Sequence, residues 1–178
     1  MEATQSRADA ARLKERRSLR QHIGLSRTVL LLLLAVSVVN QLMLLLKINY
    51  HFLFSMSVPY YLNWLAHKLG EDKGVTFFKV FALLATVAIF VVYVMCWLSS
   101  AQRREYLKTA LVLYCMDTVL LTVFAFSLLN NPFSCLLEIL VHLVGIALIY
   151  DGHRSAQRLE RLSKKRKPTR SAPRRRAG

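Results

Sequence analysis

Three ionisable side chains lie in stretches otherwise too apolar to hold them: Asp117, Glu138 and His142. Imidazole is the side chain most readily switched near neutral pH, so with two carboxyl groups it could take up and pass on a proton. The same trio could instead be a polar clasp that fixes the register of packed helices, since an ionisable group inside a membrane normally faces a partner in the bundle. Both readings stay open on residue type alone. The spacing Glu138-x-x-x-His142 puts both side chains on one helix face, one turn apart. Neither helix offers a metal motif such as H-E-x-x-H, and there is no G-x-S-x-G, P-loop or paired-Asp phosphotransfer motif. No enzyme activity, no cofactor and no metal site are expected.

The elements that would position the trio are read from charge and hydropathy. Of the 178 residues, 54% are hydrophobic, yet the formal net charge is +15, and the cations crowd towards the two ends. A soluble globular fold, a disordered chain and a disulfide scaffold are all excluded by that pattern. Cys96, Cys115 and Cys135 are odd in number, sit in apolar surroundings and lack C-x-x-C spacing. The fold class expected is an all-α polytopic membrane protein with four transmembrane helices, at about 28–46, 75–97, 107–129 and 133–150, each near the ~20 residues needed to cross hydrocarbon. Asn130-Asn131-Pro132 reads as a tight turn joining the last two spans, and Asp151-Gly152 as the exit from the fourth.

The segment 48–67 is ambiguous. It lacks formal charge but contains Pro59 and the aromatics Tyr50, Phe52, Phe54, Tyr60, Tyr61 and Trp64. Rings with a polar edge favour the headgroup layer, so an interfacial or partly re-entrant helix in the first extracytoplasmic loop is expected. Charge supports an even span count. Seven cations precede the first span, eleven follow the last, and Arg103, Arg104 and Lys108 occupy the loop between spans two and three. The positive-inside rule then places both termini and that loop in the cytoplasm. Arg16-Arg17-Ser18-Leu19 resembles a twin-arginine export motif, but the hydrophobic run after it is of full span length without a small-x-small cleavage site. It is read as a basic flank.

Depth follows from counting residues at the helical rise. Asp117 lies nine residues from Lys108, about 13 Å, and His142 eight residues from Tyr150, about 12 Å. On antiparallel neighbours the two should meet. Glu138 lies about 18 Å from the same side, and Asn40, thirteen residues from Arg27 and about 20 Å up, should come level with it. Tyr93 falls near the Asp117–His142 level. Gly145 should let a neighbouring backbone approach, and Tyr114, Asp117, Thr118 and Thr122 share one arc of the third span.

The two basic tails, 1–27 and 151–178, read as cytoplasmic. Ser6-x-x-Asp9 could cap a short helix through Leu19, Ser155–Arg166 could be helical with Glu160 and Lys164 paired, and the chain after about 167 is expected to be disordered. Arg16, Arg17, Arg20, Arg27, Arg103, Arg104, Lys164, Lys165, Arg166 and Lys167 are the residues expected to contact anionic phospholipid headgroups, at about 1 kcal/mol per charge. A membrane-protein partner or a second copy of the chain are the other occupants considered. Nucleic acid is not expected, because no aromatic side chains interleave the C-terminal basic run.

Tyr50-His51-Phe52-Leu53-Phe54-Ser55 followed by Pro59-Tyr60-Tyr61, the mid-span Asp117 and Glu138-x-x-x-His142 resemble a loose group of small four-span bacterial membrane proteins. The resemblance covers roughly positions 27–153. It implies the four-helix architecture and a bacterial cytoplasmic membrane, and carries over no activity and no functional residue. The reading reached is a non-enzymatic structural or interaction subunit. The alternative is a small proton-coupled transporter or channel component built on the Asp-Glu-His cluster.

Overall fold

A computed structural model describes residues 2–48, 52, 54–73, 76–128 and 133–164. Among the described residues five helices follow one another: α1 Glu2–Leu45, α2 Ser57–Lys73, α3 Thr76–Ser99, α4 Glu105–Leu128 and α5 Phe133–Lys164. All but α2 are long and apolar enough to cross a membrane. The chain is therefore an all-α, four-span, multi-pass membrane protein. The 130–132 turn and the chain beyond 164, including Lys165, Arg166 and Lys167, lie outside the described residues.

The expected boundaries at 27/28 and 150/151 fall inside helices. α1 runs unbroken from Glu2, so Ser6 lies within the helix and is no cap. α5 passes straight through Asp151-Gly152, which is no exit. Two physical reasons account for this. Both flanks are rich in Ala, Leu, Arg, Lys, Glu and Gln, all strong helix formers, and a lone Gly costs only about 1 kcal/mol against Ala. The second reason is packing. Along α1 the inward residues Leu19, Ile23, Ser26, Leu30, Leu33, Ser37 and Asn40 recur at alternating steps of four and three, and all except half-buried Ile23 are buried. On α5 the buried residues Glu138, His142, Gly145, Ile149, Gly152 and Ala156 recur likewise. Such stripes are the seams of packed helix pairs. Both cross the change from apolar to charged composition without a break.

α1 and α5 pair antiparallel and share the most extensive contact in the bundle. Ser26 Oγ donates to Leu148 O at 2.6 Å, Arg16 Nη2 donates to Leu162 O at 3.3 Å, and His22 Nδ1 meets Asp151 Oδ2. Gly152 is the point of closest approach, where any Cβ would collide with the Ser26 side chain. The turn between α3 and α4 joins the same end: Arg27 Nε donates to Ser100 Oγ, and Arg104 Nη1 reaches Ala156 O and the Glu160 carboxylate. Glu160 thus pairs across helices, whatever its relation to Lys164.

α1 stops in a Schellman motif. Lys47 adopts φ 58°, Ile48 N bonds Met43 O at 2.9 Å and Lys47 N bonds Leu44 O at 3.1 Å. A left-handed Lys lacks the freedom of Gly and costs roughly 1–2 kcal/mol. Past that stop, the described residues Phe52 and Ser55 bond to Asn40 and Met56 bonds to Ser37, and α2 starts at Ser57, level with Asp117 of α4 and His142 of α5. Of the two forms expected for 48–67, the described residues 52 and 54–67 take the re-entrant one.

Gly152→Leu is expected to lower the thermal midpoint of the detergent-solubilised protein, with an overpacking cost of about 1–3 kcal/mol. Gly24→Leu, where a Cβ meets no atom within 4 Å, should leave the midpoint unchanged or slightly raised. Circular dichroism melts of the two variants check the pair.

Candidate functional site

Asp117, Glu138 and His142 converge around the N-terminus of α2, all three buried. His142 Nε2 lies 3.2 Å from Asp117 Oδ2. Glu138 does not touch the imidazole with its carboxyl group directly. Ser57 Oγ stands between them, donating to Glu138 Oε1 at 2.7 Å and lying 3.1 Å from His142 Nε2. Tyr61 OH, one turn along α2, donates to Glu138 Oε2 at 3.2 Å. Asp117 also accepts the first two backbone N–H groups of α2, Ser57 N on Oδ2 at 2.9 Å and Val58 N on Oδ1 at 2.8 Å. It therefore caps a helix to which it does not belong, at the end where the helix dipole is positive.

The backbone leading into α2 is satisfied in the same way. Asn40 donates to Phe52 O and Ser55 Oγ, both at 2.8 Å, and accepts Phe52 N at 2.8 Å. Ser37 Oγ accepts Met56 N at 2.6 Å and donates to its own helix at Leu33 O. A second tier lies farther along α2. Asn63 Nδ2 reaches Gln41 Oε1 at 3.2 Å on α1 and Thr86 Oγ1 at 2.6 Å on α3.

Proton placement follows from the partners. His142 Nδ1 lies 2.8 Å from the Glu138 carbonyl oxygen, which can only accept, so Nδ1 carries a proton. Two arrangements then fit the Ser57 contacts, and only the first also fits the Asp117 contact, because a bare Nε2 would face the Asp117 carboxylate oxygen acceptor to acceptor at 3.2 Å. In one, Nε2 also carries a proton, towards Asp117, and Ser57 donates to Glu138. In the other, Glu138 carries that proton and donates to Ser57, whose own hydroxyl proton points at a bare Nε2. Relay through Ser57 Oγ, which takes the Nε2 proton and passes its own to Glu138, converts the first into the second and leaves imidazole and carboxyl both neutral. Proton redistribution is what this constellation can do chemically.

Of the residues singled out from the sequence, Asp117, Glu138 and His142 meet. Asn40 does not reach Glu138; its amide is taken by Phe52 and Ser55, because the re-entrant backbone needs partners at that level. Tyr93 is buried, yet its hydroxyl has no partner among the described residues, and neither has that of Tyr114. Tyr114 stacks on His142 with ring centroids 5.1 Å apart and fills the space opposite Gly145, where a Cβ would lie 2.8 Å from the ring. Gly145 thus admits a ring, not a backbone. Thr118 and Thr122 bond back to Tyr114 O and Thr118 O in their own helix, so they add nothing to the network.

Ser57 and Tyr61 were not among the residues chosen from the sequence. The signal for Ser57 was present in Ser57-Val58-Pro59, since Ser followed closely by Pro marks a helix start. The aromatic content of the segment masked it. The cations divide into two sets. Arg16, Arg27 and Arg104 are engaged within the chain, Arg27 also lying 5.9 Å from the Trp97 ring centroid. Arg17, Arg20 and Arg103 are exposed. The side chains of Lys164 and Cys135 lie outside the described residues.

Comparison with protein-family models, with curated proteins and with solved structures finds no match to this chain.

Removing the Asp117 carboxyl group strands two backbone donors and the imidazole together. Asp117→Ala should cost about 3–5 kcal/mol, as for breaking one side of a buried pair. Asp117→Asn should cost less, because one oxygen still accepts while the new amide opposes a backbone N–H. A double-mutant cycle with His142→Ala should show coupling of about 0.6–2 kcal/mol in detergent unfolding. Strictly additive losses would mean that the two side chains do not interact.

Proposed function

We propose that the protein is a non-enzymatic interaction subunit of a bacterial cytoplasmic membrane, with both termini in the cytoplasm and with a clasped four-helix bundle carrying a rigid basic stalk. The observation that carries this reading is the uninterrupted pairing of α1 and α5 beyond their apolar stretches, fixed by the Arg16, His22 and Ser26 contacts. Disordered basic tails would spread on lipid; a paired helical stalk holds its cations at set heights. The excess of Lys and Arg at this end supports the cytoplasmic assignment.

Height separates two roles. Arg27, Arg103 and Arg104 ring the neck where the stalk leaves the bundle, within reach of anionic headgroups. Arg17 lies ten residues farther along α1, about 15 Å at the helical rise, and Arg12 about 22 Å. Electrostatic attraction to a surface decays over about 8 Å at physiological ionic strength. On an upright stalk those distal arginines, both exposed, face an acidic protein partner and not the bilayer.

A second reading has its own observation. Ser57 Oγ bridges Glu138 and His142, so a proton can pass between them without either side chain moving. On that basis the bundle would be a proton-handling component of a transporter, which with four spans would work as a dimer.

Photo-crosslinking in native membranes tests the first reading. A photoreactive residue at position 103 should capture lipid, and one at position 17 should capture a single acidic protein. Lipid capture at both positions would overturn the upright stalk. The second reading is checked in proteoliposomes loaded with a pH dye, where wild type should leak protons and Ser57→Ala should not. Wild-type flux equal to that of empty vesicles would remove it.

A further inference from the structure

The neck of the stalk contains a cavity of about 330 Å³, enclosed by α1, the α3–α4 turn, the first turn of α4 and α5. Its polar lining is Arg20, Ser100, Gln102 and Arg104, and Ile23 and Leu159 form part of its apolar wall. The geometry points to a binding site for the phosphate group of an anionic phospholipid, with the glycerol and first methylenes against the apolar wall. This deepens, and rests on, the lipid-facing role given to the neck above.

Four observations carry it. First, the lining offers donors well suited to an oxyanion. The Arg20 and Gln102 side chains have no hydrogen-bond partner among the described residues, the Gln102 backbone N–H alone being taken, by Ser99 O. Second, Arg104 is held in place through Nη1 alone, by Ala156 O at 2.8 Å and by Glu160. Its planar guanidinium has five N–H donors, so others stay free to bind a phosphate. Third, α4 begins beside this cavity, between the lining residues Arg104 and Leu107; Leu107 N is taken by Arg104 O, and the N–H groups ahead of it lie at the positive end of the helix dipole, which favours an anion. The nearby acids are Glu160, already committed to Arg104, and Glu105, exposed on the first turn. Arg20, Arg27, Arg103 and Arg104 outnumber them.

Fourth, the site lies where a lipid phosphate would be found. Trp97 borders the same turn, its carbonyl accepting Ser100 Oγ at 2.6 Å and its ring lying beside Arg27. Tryptophan and arginine at a span end mark the headgroup layer. A cavity polar on one side and apolar on the other suits a molecule with the same division. Free inorganic phosphate would leave the Ile23 and Leu159 side unfilled.

The full chain in detergent, carrying Trp64→Phe so that Trp97 is the single indole, provides the test. It is titrated with dihexanoyl phosphatidylglycerol, dihexanoyl phosphatidylcholine and inorganic phosphate, following Trp97 emission. Native mass spectrometry counts bound lipid in parallel. Phosphatidylglycerol should saturate at a concentration at least tenfold below the other two, with one molecule retained per chain. Arg20→Ala combined with Gln102→Ala, both at exposed positions, should raise that concentration tenfold or more and abolish retention, at an unchanged melting temperature. Equal responses to the two lipids, or an unaffected double variant, would overturn the site. Inorganic phosphate acting at the same concentration as phosphatidylglycerol would overturn the lipid as its occupant. Lipid crosslinking at position 103 without retained phosphatidylglycerol would remove this site and leave the wider neck reading standing; absence of both would remove both.

Discussion

Irregular backbone inside an apolar bundle must find a partner for every N–H, because no water competes for the role and each orphan costs several kcal/mol. At the entry to α2, four of those donors go to side chains: Phe52 N to Asn40, Met56 N to Ser37, and Ser57 N and Val58 N to Asp117. The rest of the centre follows from this. Asp117, fixed by two backbone donors, presents an oxygen to His142. Ser57, fixed by its own N–H, presents a hydroxyl that links His142 to Glu138. What looks like a proton site from residue types is, in the first place, the set of acceptors that lets a helix begin in the middle of the bundle.

The second organising feature is the seam between α1 and α5. On α5 its residues are smallest at two places, Gly152, which makes room for the Ser26 side chain of α1, and Gly145, which makes room for the Tyr114 ring of α4. In lipid, helix association gains little from hydrophobic burial and depends on close packing and on polar contacts between helices. Beyond the apolar stretch water returns, and burying Leu19 and Ala156 becomes favourable on its own account. One stripe of small and apolar residues therefore serves both environments, which is why the pairing does not end where the charges begin.

Four spans and the meeting of Asp117 with His142 were legible, because hydropathy and the helical rise are local quantities. The sequence reading sets the helices of the two flanks apart from the spans at 27/28 and 150/151, where the composition turns from charged to apolar. Charge ends a span and not a helix, and the four-three spacing of Leu19, Ile23, Ser26, Leu30 and Leu33 was in the sequence to be counted. The re-entrant course of 52–58 was harder to see. It depends on three acceptors far apart in sequence, Ser37, Asn40 and Asp117, and nothing near Phe52 marks them. Asn40 was correctly singled out as a buried polar residue but given the wrong partner, since depth alone cannot distinguish a carboxyl group from a loop backbone at the same level. Arg16, Arg27 and Arg104 were counted as surface charge; their partners are carbonyls, a hydroxyl and a carboxylate on other elements, contacts that composition does not contain.

The two features share their helices, and this constrains what the molecule can do. α1 carries Ser37 and Asn40 at one end and half of the stalk at the other, while α5 carries Glu138 and His142 and the other half. Sliding one helix against the other by a single residue is a displacement of about 1.5 Å, well outside hydrogen-bond tolerance. It would break Met56 N from Ser37 and Ser57 from Glu138, and would drive a neighbouring side chain into the space that Gly152 keeps open for Ser26. Packed contacts of this kind give way in discrete steps and do not deform continuously. Along the seam the Ser26–Gly152 contact stands between the stalk and the cluster, so relative sliding of α1 and α5 is opposed there first. Under the proposed reading as an interaction subunit, that rigidity is the property a stalk would need to hold a partner at a set height.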